Sequence, residues 1–185
     1  MNIRTVLRRV PRSVVHNRRH ASSLDKPRHF VFDRETKRKQ RERAILEPDH
    51  KLYDYLKEEV GNRLFDNLYD IQKRFDKIVE IGCGKGFFSR HLTSDLTNEV
   101  VMCDSSPLVL ENSSSPTEGV RCIKKVMDEE ELTFEPNSIN LIVSCLSLHW
   151  VNDLPGAFSK ILSSLEKDGA FMGSMFGGET LYEMR

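Results

Sequence analysis

The sequence predicts an α/β fold in which a doubly wound parallel sheet carries helices on both faces. Three observations predict it: strand-like and helix-like apolar patterns alternate along the chain, a glycine-rich turn follows the first of these strands, and acidic residues follow successive strands. Repeated alternation favours crossover connections, which bury a parallel sheet between two layers of helices. At 185 residues, one globular domain with extensions is the simplest organisation.

The first 24 residues are the most unusual by composition, because they hold six arginines, no lysine and no acidic residue. Apolar residues would lie near one side of a helix there, at Ile3, Val6, Leu7, Val10 and Val14. Such a segment is typical of a mitochondrial transit peptide, with a disordered basic tail or a nucleic-acid-binding arm as alternatives. The rest of the chain keeps 22 of the 28 basic residues against 28 acidic ones, a formal charge of about −6.

Residues 25–49 form a charged arm whose centre reads VFDRETKRKQRERAIL. Asp33 suits the N-cap of a helix, but mixed charges wind around the segment and leave no wide apolar face to bury. We interpret this helix as a solvated surface element, or alternatively as an arm that contacts an acidic partner. The sequence contains no apolar run of membrane-spanning length, so we expect a soluble body that attaches to membranes at most peripherally.

The remaining elements, within residues 50–185, follow from apolar periodicity. An amphipathic helix is expected after Asp49, because apolar residues recur every four positions at Leu52, Leu56, Val60, Leu64 and Leu68. Short apolar runs predict five strands, at residues 77–81, 100–103, 121–126, 140–146 and 170–176. Helices are expected between the strands, at residues 87–96, near Pro107 and from Asp153 onward.

The turn IVEIGCGKGFF joins the first of these strands to the helix expected after it. Gly82, Gly84 and Gly86 would let a ligand approach the backbone closely at the carboxyl edge of the sheet. A dinucleotide site needs G-x-G-x-x-G, and the position required for its third glycine holds a phenylalanine here. The carboxylate of Glu80 would disfavour a pyrophosphate but attract a ligand with ammonium and sulfonium groups. S-adenosylmethionine is such a ligand.

Two more acidic residues follow the next strands. Asp104 ends the second strand, where a carboxylate can accept hydrogen bonds from two ribose hydroxyls. Asp128 follows the third strand and could accept a hydrogen bond from an adenine amino group. The alternatives are that Asp104 only caps the following helix and that DEEE, from Asp128, is a solvated turn. Together with the glycine turn, these acids favour a nucleoside site.

His149 and Trp150 follow the fourth strand, near where the reactive end of a cofactor would project. An imidazole can act as a general base near neutral pH, and an indole can pack against a cation. These two residues are therefore the candidate catalytic pair, with a packing role as the alternative.

Over roughly residues 50–180 the sequence resembles the class I S-adenosylmethionine-dependent methyltransferases, on EIGCGKG and SLEKDGAFMGSMF. Within that superfamily it is most similar to mitochondrial complex I assembly factors of the arginine-hydroxylase type, on VFDRETKRKQRERA, FDNLYDI, LSLHWVNDLPGAF and MFGGETLYEMR. The resemblance implies a Rossmann-like sheet and S-adenosylmethionine as cofactor. It also implies hydroxylation of an arginine in a complex I core subunit early in assembly, with a protein and not a nucleic acid as partner. The implied location is the mitochondrial matrix, or the matrix face of the inner membrane.

Two features depart from the family pattern. The family fold has seven strands, so a chain that ends after about five is expected to be an incomplete domain that lacks much of its substrate wall. Where the family usually has aspartate at the start of the fourth strand, this chain has Asn140, and we expect a local adjustment without lost cofactor binding.

No metal site is predicted. The cysteines have no CxxC pair and no histidine at ligand spacing, so we interpret them as reduced packing residues: Cys83, Cys103, Cys122 and Cys145. Hydroxylation needs activated oxygen, commonly from iron held by two histidines and a carboxylate, and no such motif surrounds His149. Hydroxylation is therefore implied by the resemblance alone. Two alternatives remain: an S-adenosylmethionine-dependent methyltransferase of a small carboxylate or protein substrate, and a non-catalytic assembly module.

Overall fold

The computed structural model describes residues 4–8, 30–71, 73–178 and 180. Strands in this part of the chain are β1 (Arg4–Arg8), β2 (Phe75–Ile81), β3 (Thr97–Asp104), β4 (Arg121–Val126), β5 (Ile139–Cys145) and β6 (Leu165–Met175). Its α-helices are α1 (Arg34–Leu46), α2 (Tyr55–Tyr69), α3 (Pro107–Glu111) and α4 (Leu154–Ser164). The strands form one sheet in the order β1-β6-β5-β2-β3-β4. Strands β2 to β6 are parallel, so the predicted α/β parallel sheet is confirmed.

Apolar side chains from the central strands enter two cores, one on each face of the sheet. On one face Ile78 packs in a cluster with Leu64 and Leu68 of α2. On the other face the neighbouring Val79 packs with Ile161 of α4. Alternation of successive side chains across β2 therefore fills both cores, which explains why its sequence is almost continuously apolar.

The strand order places a crevice above the carboxyl end of β2. The chain passes from β2 to β3 on one side and later returns to β5 on the other side. In open parallel sheets, ligands bind where the order reverses in this way. At the opposite edge of the sheet, Asn140 accepts a hydrogen bond from the Lys77 amide at 2.9 Å and donates one to Glu166 at 2.7 Å. The amide thus links the starts of three strands away from the crevice.

The helix predicted at residues 87–96 is wrong, because only a 3₁₀ turn at Ser89–His91 forms there. Leu92 has an extended backbone, with φ −67° and ψ 135°. Its carbonyl accepts hydrogen bonds from the amide of Thr117 at 3.3 Å and from the Thr117 hydroxyl at 2.9 Å. An acceptor that a further helical turn would use is therefore taken by a distant loop.

The amphipathic helix predicted at the start of the chain is also wrong for Arg4–Arg8, which form β1. This strand pairs antiparallel with β6, from Arg4 opposite Met175 to Arg8 opposite Phe171. An edge strand offers a row of backbone donors and acceptors, and pairing satisfies them. The other residues of the predicted transit peptide lie outside the described part of the chain.

The arm helix predicted after Asp33 is confirmed as α1. Asp33 is its N-cap and accepts a hydrogen bond from the Thr36 amide at 2.9 Å. No residue of α1 is buried, so polar contacts must hold it against the domain. In the described residues, no helix combines the length and the apolar character that crossing a membrane requires.

Candidate functional site

A cavity of about 300 Å³ opens at the carboxyl edge of the sheet, between the glycine turn, the 3₁₀ turn Leu148–Trp150 and α1. Its volume lies at the low end for small-molecule sites. The residues predicted for the site that line it are Gly82, Gly84, His149 and Trp150. The sequence analysis thus located the cavity but not every side chain around it.

All three glycines of the turn have positive φ: 62° at Gly82, 57° at Gly84 and 75° at Gly86. A side chain at Gly82 would collide with Ser147 and Glu129, and one at Gly86 would meet the Ser114 carbonyl oxygen at 2.5 Å. At Gly84 a Cβ would meet nothing within 4 Å. The middle glycine therefore leaves its backbone open to the cavity, while the outer two are required by packing.

Asp104 ends β3 with its side chain fully buried. Its Oδ2 accepts hydrogen bonds from the Gly84 amide at 3.0 Å and from Arg41 Nη2 at 2.5 Å. Its Oδ1 accepts one from the Ser106 amide at 3.0 Å. The N-cap of α3 is Ser106, so the alternative that Asp104 only caps this helix is wrong. Asp104 instead ties the glycine turn to α1.

Glu80 lies behind the turn and is not among the side chains that line the cavity. It is completely buried; Oε2 accepts a hydrogen bond from the Ser89 hydroxyl, and Oε1 has no partner among the described residues. Burial raises the pKa of Glu80 to about 8, even though the Ser89 hydroxyl favours the charged form. The carboxyl group is therefore mostly protonated at neutral pH.

The acidic turn after β4 divides its side chains between two cavities. Asp128 borders a neighbouring cavity, where Oδ1 accepts hydrogen bonds from Arg34 at 2.7 Å and from the Glu130 amide at 2.8 Å. Glu129 lines the cavity beside the glycines and accepts hydrogen bonds from Ser147 and Arg34. Because Glu129 is only 2% exposed, the alternative of a solvated turn is wrong for it. Glu129 was not among the residues predicted for the site.

His149 and Trp150 both line the cavity, and their ring centroids are 5.2 Å apart. The buried Nδ1 of His149 has no hydrogen-bond partner among the described residues. Burial, with smaller contributions from Lys37 and Lys57, lowers the pKa of His149 to about 4, so the ring is neutral at neutral pH. The Lys37 Nζ lies 3.5 Å from the centroid of the Trp150 ring, a cation–π contact.

The lining is rich in cations that the sequence analysis did not place there. Five basic side chains border the cavity: Arg34, Lys37, Arg38, Arg41 and Lys57. Four belong to α1, and their spacing of three and four residues puts them on one helical face. This spacing could have indicated a basic helical face. In a segment with so many charges, however, the same spacing is also typical of a solvated helix.

The described residues contain no group of three or more His, Cys, Asp or Glu side chains arranged to hold a metal ion. All four cysteines are unpaired thiols, as predicted. Burial raises the pKa of Cys103 and that of Cys145 to about 12, so both are packing residues with little thiolate character.

Comparison with known proteins identifies the family of this chain. A family model described as "Methyltransferase domain" matches residues 79–173. The mitochondrial arginine-hydroxylase NDUFAF5 of Mus musculus is 46% identical over 155 residues, covering 84% of this chain and 45% of that protein. The malonyl-[acyl-carrier protein] O-methyltransferase of Halorhodospira halophila is 30% identical over 132 residues, covering 70% of this chain and 45% of that enzyme. This chain therefore spans about 45% of the length of these relatives.

A solved S-adenosylmethionine-dependent methyltransferase from Leishmania major shares the fold. It superposes with a TM-score of 0.61 at 18% identity, over 78% of this chain and 61% of the other. The parallel sheet and the crevice at its carboxyl edge are thus features of a known fold.

Proposed function

The chain belongs to the methyltransferase domain family, and on this basis we propose that it binds S-adenosylmethionine and hydroxylates an arginine of a complex I core subunit early in assembly. The observation that carries this proposal is the 46% identity to a mitochondrial arginine-hydroxylase over 84% of this chain. The sequence segments that resemble complex I assembly factors support the same function.

The residues at the carboxyl edge suit this cofactor. The open backbone at Gly84 would allow close approach, and Oδ2 of Asp128 accepts no hydrogen bond from the described residues. Asp104 is buried under an arginine side chain and would accept hydrogen bonds from ribose hydroxyls once that side chain moves. Lys57 borders the cavity and forms no ion pair within the described part of the chain, so it would receive the cofactor's carboxylate. S-adenosylmethionine would supply a sulfonium methyl group there, and His149 and Trp150 line the same cavity. Glu80 would act indirectly, from behind the glycine turn. Loss of its proton would place a negative charge near the cationic cofactor.

His149 and Trp150 would orient the substrate. The Trp150 ring already holds the ammonium of Lys37, so it can hold a guanidinium in the same way. Neutral His149 can accept a hydrogen bond from that guanidinium, but a pKa of about 4 makes it a weak base. Hydroxylation with dioxygen would put one oxygen atom into the arginine and reduce the other to water, which takes two electrons from an external donor in addition to this cofactor. The proposal assigns to this chain the binding of the cofactor and the positioning of the arginine.

Mass spectrometry of complex I core subunits, from cells with and without this protein, tests the proposal. We expect one arginine to carry an added oxygen only when the protein is present. Asp104→Ala should abolish the modification and weaken S-adenosylmethionine binding by roughly 1.5 to 3 kcal/mol, the cost of losing a charge-assisted hydrogen bond. Lys39→Ala, a change on the exposed side of α1, should preserve both. An added methyl group, or an unchanged subunit, would contradict hydroxylation.

The location proposed is the mitochondrial matrix, with peripheral attachment to the inner membrane as an alternative. It is supported by the mitochondrial name of the relative and by residues 1–24, which contain six arginines and no acidic residue. Residues 25–49 would then be an arm and residues 50–185 the cofactor-binding domain. Import into isolated mitochondria should shorten the chain near residue 24, whereas a protected chain of unchanged length would argue against a cleaved transit peptide.

A second candidate is methyl transfer to a carboxylate or protein substrate. It is favoured by the likeness to a malonyl-[acyl-carrier protein] O-methyltransferase and by the cationic Lys37 at the cavity, which would hold an acid group. Radiolabelled methyl transfer from S-adenosylmethionine to an acyl carboxylate would identify it. Normal complex I assembly with Glu80→Ala and Asp104→Ala combined would instead indicate a non-catalytic module.

A further inference from the structure

The helix α1 lies across the crevice and divides it. Arg41 borders both the cavity of about 300 Å³ and a second one of about 220 Å³ beside Lys85. Arg34 and Arg38 border the first cavity and a third one, of about 580 Å³, beside Asp128. Side chains on one face of α1 are therefore the walls between three spaces that follow the strand ends.

The hydrogen bonds of Asp104 indicate which side chain of α1 would obstruct the cofactor. An ionised carboxylate offers about four acceptor positions. Three are filled, by the amides of Gly84 and Ser106 and by the Arg41 guanidinium. Two ribose hydroxyls need two positions, so one donor must leave. Of the three donors, Arg41 alone bonds through a side chain; the amides are fixed by the glycine turn and by the start of α3.

The exposure of the two side chains also indicates that Arg41 obstructs the site. The Asp104 side chain is fully buried, whereas that of Arg41, which contacts it, is 27% exposed. A ligand therefore reaches Asp104 only after Arg41 moves. Asp128 differs, because one of its oxygens accepts no hydrogen bond from the described residues. Arg34 can consequently remain in place when an adenine amino group arrives.

The contacts that hold α1 are polar and can be exchanged. Glu42 accepts a hydrogen bond from the Ser106 hydroxyl at 2.7 Å, and Asn152 accepts hydrogen bonds from the amides of Val31 and Phe32, both at 2.8 Å. No apolar residue of α1 is buried to oppose its release. The ion pair from α1 to the end of β3 reaches a fully buried carboxylate, so its release requires a ligand that gives this carboxylate new hydrogen-bond donors. Release of α1 therefore exposes no buried core.

We propose that α1 is an internal competitor of the cofactor, in which Arg41 occupies the ribose site on Asp104 and must be displaced before S-adenosylmethionine binds. This inference rests on the proposed cofactor. It assigns to the charged arm an inhibitory role that any partner able to capture α1 would relieve.

Calorimetric titration of the full chain with S-adenosylmethionine tests the competition. Arg41→Ala should bind about tenfold more tightly than the unchanged protein, because no guanidinium has to be displaced. The matched control is Lys39→Ala, which removes a cation from the same helix but only an exposed pair with Glu35; its affinity should equal that of the unchanged protein. Raising the salt concentration should tighten binding to the unchanged protein more than binding to Arg41→Ala.

Amide exchange of residues 34–46, measured with and without S-adenosylmethionine, separates the possible failures. Faster exchange of α1 on ligand binding is expected. If the unchanged protein binds the ligand but Arg41→Ala binds equally or more weakly, the competition is wrong and the proposed cofactor stands. If neither protein binds S-adenosylmethionine, the proposed cofactor is wrong and the competition is wrong with it.

Discussion

Glu80 is the residue at which burial and ionisation oppose each other most directly. It is completely enclosed, one of its oxygens has no partner among the described residues, and its pKa is raised to about 8. A buried acid with an unused acceptor contributes little to stability. It can, however, ionise when a cationic ligand binds nearby, because the positive charge lowers its pKa. Glu80 therefore supports the glycine turn from behind, outside the cavity itself.

Replacing Glu80 by the neutral glutamine should stabilise the protein near neutral pH. In the unfolded chain the acid ionises near its ordinary pKa, whereas in the folded protein it stays protonated up to about pH 8. The folded state therefore loses stability as the pH rises between these values, and Glu80→Gln does not share that loss. We expect the variant's advantage in unfolding free energy to grow by an amount on the order of a few kcal/mol between about pH 5 and about pH 7.5.

Urea denaturation of both proteins across this pH range measures the effect. Ser89→Ala is a useful control, because it removes the hydrogen-bond donor to Glu80 and leaves the carboxyl group in place. Its stability should fall with rising pH at least as steeply as that of the unchanged protein, because the lost hydroxyl favoured the charged form of Glu80. Parallel stability curves for Glu80→Gln and the unchanged protein would show that Glu80 is not protonated in the folded state.

At the scale of elements, the glycine turn combines two requirements that its sequence does not distinguish. Gly84 and Gly86 both have positive φ, but only a side chain at Gly86 would collide with backbone, at Ser114. Gly84→Ala should therefore cost only the backbone strain, about 1 to 2 kcal/mol, while its methyl group enters the cavity and weakens S-adenosylmethionine binding. Gly86→Ala should unfold more easily, because strain and collision add.

Denaturation curves and calorimetric titration of these two variants provide the comparison. Gly84→Ala should lose more in binding than in stability. Gly86→Ala should lose more in stability. Equal losses of stability in the two variants would mean that the open space at Gly84 is not present in solution.

The central strands β2, β3 and β5 were predictable because burial on both faces leaves apolar runs in the sequence. The strand predicted at residues 100–103 is the centre of β3, which extends over Thr97–Asp104. Asp104 and the glycines were predictable for a related reason, since they follow from the position of strand ends. The missing helix at residues 87–96 was not predictable, because a contact with Thr117, 25 residues beyond Leu92, prevents it.

The contacts of α1 were beyond the sequence analysis for the same physical reason. Arg41 and Asp104 are 63 residues apart, and Arg34 and Asp128 are 94 residues apart. Charges that pair over such separations have no periodic pattern, and they resemble the charges of a solvated helix. The composition of the arm therefore predicts that it is a helix, but only the fold determines what the helix covers.

At the scale of the whole molecule, the basic start of the chain is linked to the edge of the sheet. β1 pairs with β6 through the backbone, and it lies within the six-arginine segment whose removal would leave a formal charge of about −6. Cleavage of a transit peptide near residue 24 would therefore change two properties together. The remaining chain would be more acidic, and one edge of β6 would lose its hydrogen-bonding partner.

Deleting residues 1–24 should consequently lower the thermal midpoint and increase self-association, because an unpaired strand edge recruits other strands. The matched control keeps β1 and replaces residues 9–24 with a glycine-serine segment of equal length, so that the sequence changes while the pairing to β6 is retained. Thermal denaturation and size-exclusion chromatography compare the three proteins at equal concentration. We expect the control to behave like the unchanged chain and the deletion to melt earlier and elute partly as larger species. If the deletion and the control have the same midpoint and elution volume, β1 does not stabilise the sheet, and processing would alter the charge of the protein without altering its fold.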